Sequence, residues 1–257
     1  MLFFRRFFFN VMRGSSLLLI SVTGLLVLVS SYVMYWLEPQ TFKTPFNGLW
    51  WTMTTLTTVG YGDFSPQSTA GKLYAMLLYI FGIGLIGIVI GRIIDSFSLI
   101  RKRREEGSLT YKGKGHMVIF GWSKKAEHAI REMRRSHPDQ EIVLVDHLEK
   151  APLLQENVFY VRGDATDEDT MLRAHIAYAH AVLVFADDNI TDTLLTDGKS
   201  LLIATAVERI APSVHTTVEI MDERHINSFA HVKVDEFILS YQMISRAAVH
   251  AAYTKKA

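Results

Sequence analysis

Two long runs without a charged residue constrain this chain more than any other feature. Leu17–Trp36 contains 20 residues and Leu73–Gly91 contains 19, and neither run holds Asp, Glu, Lys or Arg. A helix rises about 1.5 Å per residue, so each run is roughly 30 Å long, which is the thickness of the hydrocarbon core of a membrane. The sequence therefore predicts two membrane-spanning helices, over about residues 17–36 and 73–94.

The charged residues separate the chain into two chemically different parts. Only four lie within residues 14–91, although the whole chain has 27 Lys and Arg and 26 Asp and Glu. The rest of the chain has the charge density of a globular domain, so a uniformly soluble enzyme, a disordered chain and a disulfide scaffold are excluded. A net charge of +1 gives no reason to expect a nucleic-acid partner. The absence of cysteine excludes cysteine-based zinc sites and thiol nucleophiles.

Basic residues flank the two predicted spans on their outer sides. Residues 1–14 contain three arginines and residues 92–104 contain five Lys or Arg, whereas the loop between the spans carries only Lys43 and Lys72. This bias predicts a multi-pass protein of the cell membrane with both termini in the cytoplasm. The aromatic and basic residues 1–14 favour an interfacial helix, with a plain apolar anchor as the alternative.

The loop between the spans contains a short apolar segment followed by a glycine-rich one. Residues 46–57 follow Pro45 and are too few to cross a bilayer, which predicts a re-entrant pore helix. Thr58–Asp63 reads TVGYGD, and its two glycines allow backbone conformations that other residues resist. Such a strand can turn successive carbonyls towards one axis, where four copies would replace the water around a cation.

The string TTVGYGD, placed between two spans and preceded by Trp50 and Trp51, closely resembles the selectivity filter of potassium channels, for which TVGYG is the standard example. The resemblance implies a homotetramer in the lipid bilayer that conducts K⁺ passively. It also implies a filter over 58–62, with K⁺ held by the first four of its residues, and three further roles: filter support, an outer mouth and a gating hinge. The residues are Thr58, Val59, Gly60, Tyr61 and Gly62 for the filter, Trp50 and Trp51 for its support, Asp63 for the mouth and Gly82 for the hinge. For Gly82, close helix packing is an equal alternative.

A charged, glycine-bearing linker at 99–115 separates a pore domain at 15–98 from a second domain at 116–257. Five short apolar runs alternate regularly with helical stretches in the second domain, namely residues 117–121, 142–146, 158–161, 181–186 and 214–220. Continuous apolar strands alternating with helices predict a parallel sheet covered on both faces. The predicted fold is thus an α-helical membrane pore followed by an α/β Rossmann-like domain.

Polar residues follow these predicted strands at the edge where this fold binds ligands. The turn after the first strand begins at Gly121 and carries Ser123 in place of the second glycine of G-x-G-x-x-G, and it leads into a helix N-terminus that favours phosphate. Asp146 follows 25 residues after Gly121, where a carboxylate would accept hydrogen bonds from ribose hydroxyls. Helix capping is the alternative for Ser123 and for the acids between 164 and 169.

The chain resembles the regulator-of-potassium-conductance family, also called the TrkA-N type, in the order of its parts. A pore and a linker come first, and then a domain with Gly-Trp at 121–122, RGDAT at 162–166 and ADD at 186–188. The resemblance implies a regulatory nucleotide, either NAD(H) or ADP/ATP, that gates the pore from a cytoplasmic cleft. The cleft residues would be Gly121, Trp122, Ser123, Asp146, Gly163, Asp164 and Asp187. Calcium is not expected, because Glu219 matches one acid of the family's calcium-type site but Phe185 and Met221 are apolar.

The sequence departs from this family's usual pattern near its end. A C-terminal lobe usually follows the domain, and here we expect it to be absent, with residues 241–253 forming a crossover helix that makes a dimer contact. A constitutive channel whose cytoplasmic domain serves assembly alone therefore remains an alternative to a gated one. No catalytic pattern of residues supports a membrane-tethered enzyme, so we predict that the chain is not one.

Overall fold

The computed structural model describes residues 16–253, and the predicted interfacial segment at 1–14 lies outside them. The chain divides after Leu99 into two compact units, a pore unit and a sheet unit, which are described separately below.

The described part of the pore unit contains α1 (Ser16–Leu37), α2 (Pro45–Leu56) and most of α3 (Thr69–Glu105), whose last six residues belong to the sheet unit. Both apolar runs lie in helices as predicted, and α1 and α3 are long and apolar enough to cross a membrane. Proline at the start of α2 costs no hydrogen bond, since the first amides of a helix have no intrahelical partner. The Thr44 side chain caps this helix by accepting from the Asn47 amide.

The pore unit has a small core and an apolar exterior. Its buried side chains include Met34, Phe42, Trp51 and Leu56, whereas many Leu, Ile and Phe residues of α1 and α3 are exposed. The helices α1 and α2 approach each other at Gly48, where a Cβ atom would lie 2.4 Å from the Ser31 carbonyl oxygen. An apolar exterior of this kind suits a lipid or helix environment rather than water.

Helix α3 extends beyond the predicted span and takes in the first seven residues assigned to the linker. Its last turns are supported by ion pairs at helical spacing, Arg101 with Glu105 at 2.9 Å and Lys102 with Glu106 at 3.7 Å. Gly107 follows with φ of 64°, a left-handed conformation that commonly ends helices.

The sheet unit contains six parallel strands in the order β3-β2-β1-β4-β5-β6. This is the doubly wound Rossmann order, so the predicted fold is confirmed. The sequence does not predict the sixth strand, because it begins with the exposed Glu236 and its other three residues are only partly buried. The strands are β1 (Met117–Phe120), β2 (Ile142–Asp146), β3 (Val158–Arg162), β4 (Ala181–Val184), β5 (His215–Ile220) and β6 (Glu236–Leu239).

Helices cover both faces of this sheet. In β1, Val118 and Phe120 belong to one buried cluster and Ile119 to another, so alternate side chains enter cores on opposite faces. Burial on both faces explains why the strands are continuous apolar runs. The helices are α4 (Lys124–Ser136), α5 (Glu168–Arg173), α6 (Thr193–Ile210) and α7 (Ser240–Tyr253), with 3-10 turns at Ile176–Tyr178 and Glu223–Phe229.

Candidate functional site

The glycine-rich segment of the pore unit has an alternating backbone. Thr58, Gly60 and Gly62 have φ of 61°, 57° and 77°, and the intervening Val59 and Tyr61 do not have positive φ. Alternation of left-handed with ordinary conformations turns successive peptide groups so that their carbonyls share one side. The segment is tied to α2 because the Thr54 carbonyl accepts from the Val59 amide at 2.8 Å. This local geometry can present a row of oxygens to a cation.

Aromatic and acidic side chains brace the segment from one side. The Trp50 indole donates to an Asp63 carboxylate oxygen at 2.7 Å, and its ring stacks on Tyr61 with centroids 5.6 Å apart. The two tryptophans predicted to support the filter therefore lie in different places. Trp50 contacts Tyr61, whereas Trp51 is buried in the core of the pore unit against Phe42. Trp50 holds the segment, and Trp51 holds the helix that carries it.

One chain leaves the segment open. Val59 is 53% exposed and Tyr61 is 67% exposed, and a Cβ atom at Gly60 would find nothing within 4 Å. A cation stripped of water needs oxygens on several sides, which a single exposed strand does not supply. The segment of one chain therefore does not by itself enclose a cation.

Gly82 lies buried within the unbroken helix α3. A Cβ atom there would lie 2.2 Å from Cδ2 of Leu56 at the end of α2, whereas one at Gly87 would find nothing within 4 Å. This contact favours the packing role for Gly82, and the hinge role stays a prediction.

Glu38 is a buried carboxylate that the sequence analysis did not single out. It accepts from the amides of Gln67 and Ser68 at 2.8–3.0 Å and from the Ser68 hydroxyl at 2.7 Å, just before α3 begins. Burial alone would raise the pKa of Glu38, but these hydrogen bonds outweigh it and lower the pKa. A partner thirty residues away leaves no local pattern by which this role could be predicted.

The sheet unit contains a cleft of about 440 Å³ at the carboxyl ends of β1, β2 and β4. Parallel strands bind ligands at this edge, where the strand order reverses. Six of the seven predicted cleft residues line it, namely Gly121, Trp122, Asp146, Gly163, Asp164 and Asp187. Ser123 does not line the cleft; its hydroxyl accepts from the Ala126 amide at 3.1 Å and so caps α4.

Asp146 fastens the first turn of the cleft to the end of β2. One carboxylate oxygen accepts from the Trp122 backbone amide at 2.6 Å. The other accepts from the backbone amides of His147 at 2.6 Å and Leu148 at 3.3 Å. A carboxylate has about four acceptor positions and these three amides use three of them, so one position, on the oxygen that faces the Trp122 amide, remains for a ribose hydroxyl. The Trp122 amide, in contrast, is already engaged and is not free to bind phosphate.

Asp164 shapes a turn rather than capping a helix. Its side chain accepts from the amide and the hydroxyl of Thr166, both at 2.8 Å, and the N-cap position of α5 belongs to Asp167. The Thr166 bonds hold the pKa of Asp164 below its ordinary value, so this side of the cleft keeps a negative charge.

Lys199 supplies a positive charge to the cleft that the sequence analysis missed. Its ammonium lies 2.6 Å from the Asp187 carboxylate, and both residues line the cleft. Burial alone would raise the pKa of Asp187, but Lys199 and the Asn189 amide outweigh it and lower the pKa. Lys199 lies on α6, away from every strand-end motif, so only the folded arrangement brings it here.

The segment after α3 contacts the strand that leads into the cleft. The Gly107 carbonyl accepts from the Arg162 amide at 2.9 Å and from the Arg173 guanidinium at 3.1 Å. A Cβ atom at Gly107 would lie 2.5 Å from the Arg162 nitrogen. Arg162 directly precedes Gly163, so the residue bonded to Gly107 is next in the chain to one that lines the cleft.

Two family profiles match the chain in series. The profile described as an ion channel matches residues 22–98, and the profile of the TrkA-N domain matches residues 117–240. These ranges coincide with the pore unit and with the greater part of the sheet unit.

Two curated relatives span almost the whole chain. YugO of Bacillus subtilis, named as a proposed potassium channel protein, is 31% identical over 244 residues, which is 94% of this chain and 74% of YugO. The calcium-gated potassium channel TvoK of Thermoplasma volcanium is 31% identical over 240 residues, covering 90% of this chain and 68% of TvoK.

Solved structures share the fold. The GsuK channel bound to NAD aligns with 90% of this chain at a TM-score of 0.59 and 19% identity, and GsuK bound to ADP aligns with 93% at 0.57 and 20%. The chain spans 42% and 63% of those two GsuK chains, respectively. At this level of identity the likeness concerns the fold alone.

Proposed function

The chain belongs to the family of prokaryotic potassium channels in which an ion-channel region precedes a TrkA-N domain, and on this premise we propose that it forms a K⁺-selective tetramer gated by a nucleotide. Its relatives are channels rather than enzymes, and the two apolar helices agree with a protein of the membrane. Tetramer, nucleotide and the cytoplasmic position of both termini are our proposals.

The alternating backbone of Thr58, Gly60 and Gly62 carries the proposal of K⁺ selectivity. In four copies around an axis, the carbonyls of Thr58, Val59, Gly60 and Tyr61 would form rings that replace the hydration shell of K⁺. The Thr58 hydroxyl would complete the innermost ring. Asp63, oriented by Trp50, would raise the local concentration of cations at the outer mouth.

The cleft of the sheet unit supports the proposal of a nucleotide ligand. Its volume of about 440 Å³ falls within the usual range for small-molecule sites. Asp146 would accept a hydrogen bond from the ribose. The Lys199 ammonium would leave the Asp187 carboxylate and bind a phosphate group of the nucleotide instead. The same fold holds NAD or ADP in GsuK, so both ligand classes are candidates here. Because the relative TvoK is named as calcium-gated, calcium belongs among the effectors to be tried.

The contact of Gly107 with Arg162 supports the proposal that the cleft controls the pore. A ligand that shifts Gly163 and Asp164 would also shift Arg162, whose amide is bonded to the segment at the end of α3. A ligand moves such an equilibrium only by binding one state more tightly than the other. The direction of the effect follows from which state it prefers.

Ion flux into proteoliposomes tests the first half of the proposal. The purified full-length chain should carry K⁺ and exclude Na⁺, because the carbonyl rings replace the water of K⁺ and not that of Na⁺. Equal uptake of the two ions would overturn the proposed selectivity.

Nucleotide binding to the full-length chain in detergent tests the second half. Calorimetric titration with NAD⁺, NADH, ADP and ATP should find at least one ligand, and Asp146→Asn should weaken its binding by about tenfold, the loss of roughly one charge-assisted hydrogen bond. Asp139→Asn, an exposed change outside the cleft, is the matched control. Binding of no nucleotide would favour the alternative, a constitutive channel whose sheet unit serves assembly alone.

A further inference from the structure

Glu219 is a buried carboxylate that neither the filter nor the cleft accounts for. It lies on β5, and its side chain is 1% exposed. One of its oxygens accepts from the Ala186 amide at 2.8 Å, and the other accepts from the Ser240 hydroxyl at the start of α7. A carboxylate so far from water is stable only when a positive charge is close to it.

Lys125 provides that charge. Its ammonium lies 2.8–2.9 Å from the two oxygens of Glu219 and 2.8 Å from a carboxylate oxygen of Asp188, which follows β4. Burial alone would lower the pKa of Lys125, but the two carboxylates outweigh it and raise the pKa, so the ammonium stays charged. One compact cation thus joins the first turn of α4, the loop after β4, and β5.

The oxygens around this ammonium are those that a hard divalent cation prefers. Two carboxylates converge on the ammonium, and the Ser240 hydroxyl lies against one of them. Calcium takes such oxygens in flexible arrangements. An ammonium on a long stem is likewise a compact point charge. Within residues 16–253, however, no three His, Asp, Glu or Cys side chains gather into a metal-binding group, and the carboxylates in contact with Lys125 are those of Glu219 and Asp188.

We propose that Lys125 is a built-in substitute for a divalent cation, which keeps this site free of calcium in the natural protein and whose removal would open the site to calcium. The apolar Phe185 and Met221 remove possible ligands, and Lys125 adds a stronger obstacle, because two positive charges would have to share one small group of oxygens. Lys125 is therefore a positioning residue that fixes which cation links the end of β5 to α4.

Calcium-dependent thermal unfolding of the full-length chain in detergent tests this proposal. Lys125→Met keeps an unbranched stem as far as Cε and removes the ammonium, so its melting temperature should be lower without calcium and should recover in millimolar calcium. Calorimetry on this variant should find a dissociation constant on the order of 10⁻⁴ to 10⁻³ M. Lys124→Met is the matched control, because Lys124 is exposed and pairs with Glu127 outside the cluster.

Two comparisons make each outcome decisive. The wild type and Lys124→Met should show no calcium-dependent shift, and the double variant Lys125→Met/Glu219→Gln, which loses both charges, should fold and ignore calcium. An equal shift in the wild type, or no shift in Lys125→Met, would overturn the proposal. If Lys125→Met folds neither with nor without calcium while the double variant folds, calcium cannot replace the ammonium and the proposal is also wrong.

Discussion

The pore unit and the sheet unit place their apolar side chains in opposite ways. In the sheet unit the strands are buried on both faces, and the polar groups collect at one edge around a cleft. In the pore unit the apolar side chains of α1 and α3 face outwards, and the polar groups of interest are backbone carbonyls. In the described residues of one chain, the sheet unit encloses its cleft with side chains from several strands, whereas Val59 and Tyr61 of the segment Thr58–Asp63 are exposed.

This difference teaches where function resides in each unit. A filter made of carbonyls depends on backbone conformation, so glycine is its critical residue type. A cleft made of side chains depends on charge and hydrogen bonding, so each substitution there should weaken nucleotide binding by the loss of one such interaction. The predictions below test this contrast, beginning with the largest expected effect.

Gly60→Ala should abolish K⁺ selectivity. Gly60 has φ of 57°, and a left-handed conformation costs a residue with a Cβ atom about 1–2 kcal/mol, a penalty repeated in each copy. The K⁺ and Na⁺ fluxes into proteoliposomes measure the loss. Val59→Ile, which changes only a side chain, and Gly24→Ala, at a helical position with open space around it, should leave selectivity intact. Loss of selectivity in Val59→Ile would break the contrast between backbone and side chain.

Gly82→Ala should destabilise the pore unit by packing rather than by stiffening a hinge. The new Cβ atom meets the Leu56 side chain, and overpacking costs about 1–3 kcal/mol. Thermal unfolding should show a lower melting temperature for Gly82→Ala, no change for Gly87→Ala, and partial recovery when Leu56→Ala is added to Gly82→Ala. A change in channel opening without any change in melting temperature would instead support the hinge.

Lys199→Met should weaken binding of a phosphate-bearing nucleotide by about tenfold, the loss of roughly one charge-assisted hydrogen bond. Titration calorimetry on the full-length chain measures it. Lys233→Met is the matched control, because that ammonium bonds the Pro212 carbonyl at the amino ends of β5 and β6, away from the cleft. Unchanged affinity in Lys199→Met would leave Lys199 as a structural partner of Asp187 alone.

The smallest predicted effect concerns acid stability. The folded pKa of Asp187 is held below its ordinary value of 3.8, so its contribution to stability is complete above pH 3.8 and is lost as the pH falls through the folded pKa. Thermal unfolding between pH 5 and pH 3 should therefore show a shallower loss of stability for Asp187→Asn than for the wild type. An equally steep loss of stability in the wild type and in Asp187→Asn would show that titration of Asp187 does not contribute to acid unfolding.

The sequence predicts features that depend on local patterns, and it does not predict contacts between distant segments. The filter segment is a local backbone pattern, so Thr58–Asp63 could be identified from the order of its amino acids alone, and continuous apolar strands revealed the sheet for the same reason. Lys199, Lys125 and Glu38 could not be identified, because each meets its partner only after distant segments fold together. The glycine pattern predicts Ser123 in the cleft, although its capping bond takes it out of the cleft.

Current through the reconstituted channel, recorded as nucleotide is added on the side of the sheet unit, tests the central claim most directly. We expect a nucleotide that binds the cleft to change the K⁺ current by about fivefold or more, the usual lower bound of allosteric coupling. Asp146→Asn should shift this response to higher nucleotide concentration, and Asp139→Asn should leave it unchanged. A nucleotide that binds the wild-type cleft and leaves the K⁺ current unaltered would contradict the claim that the cleft gates the pore.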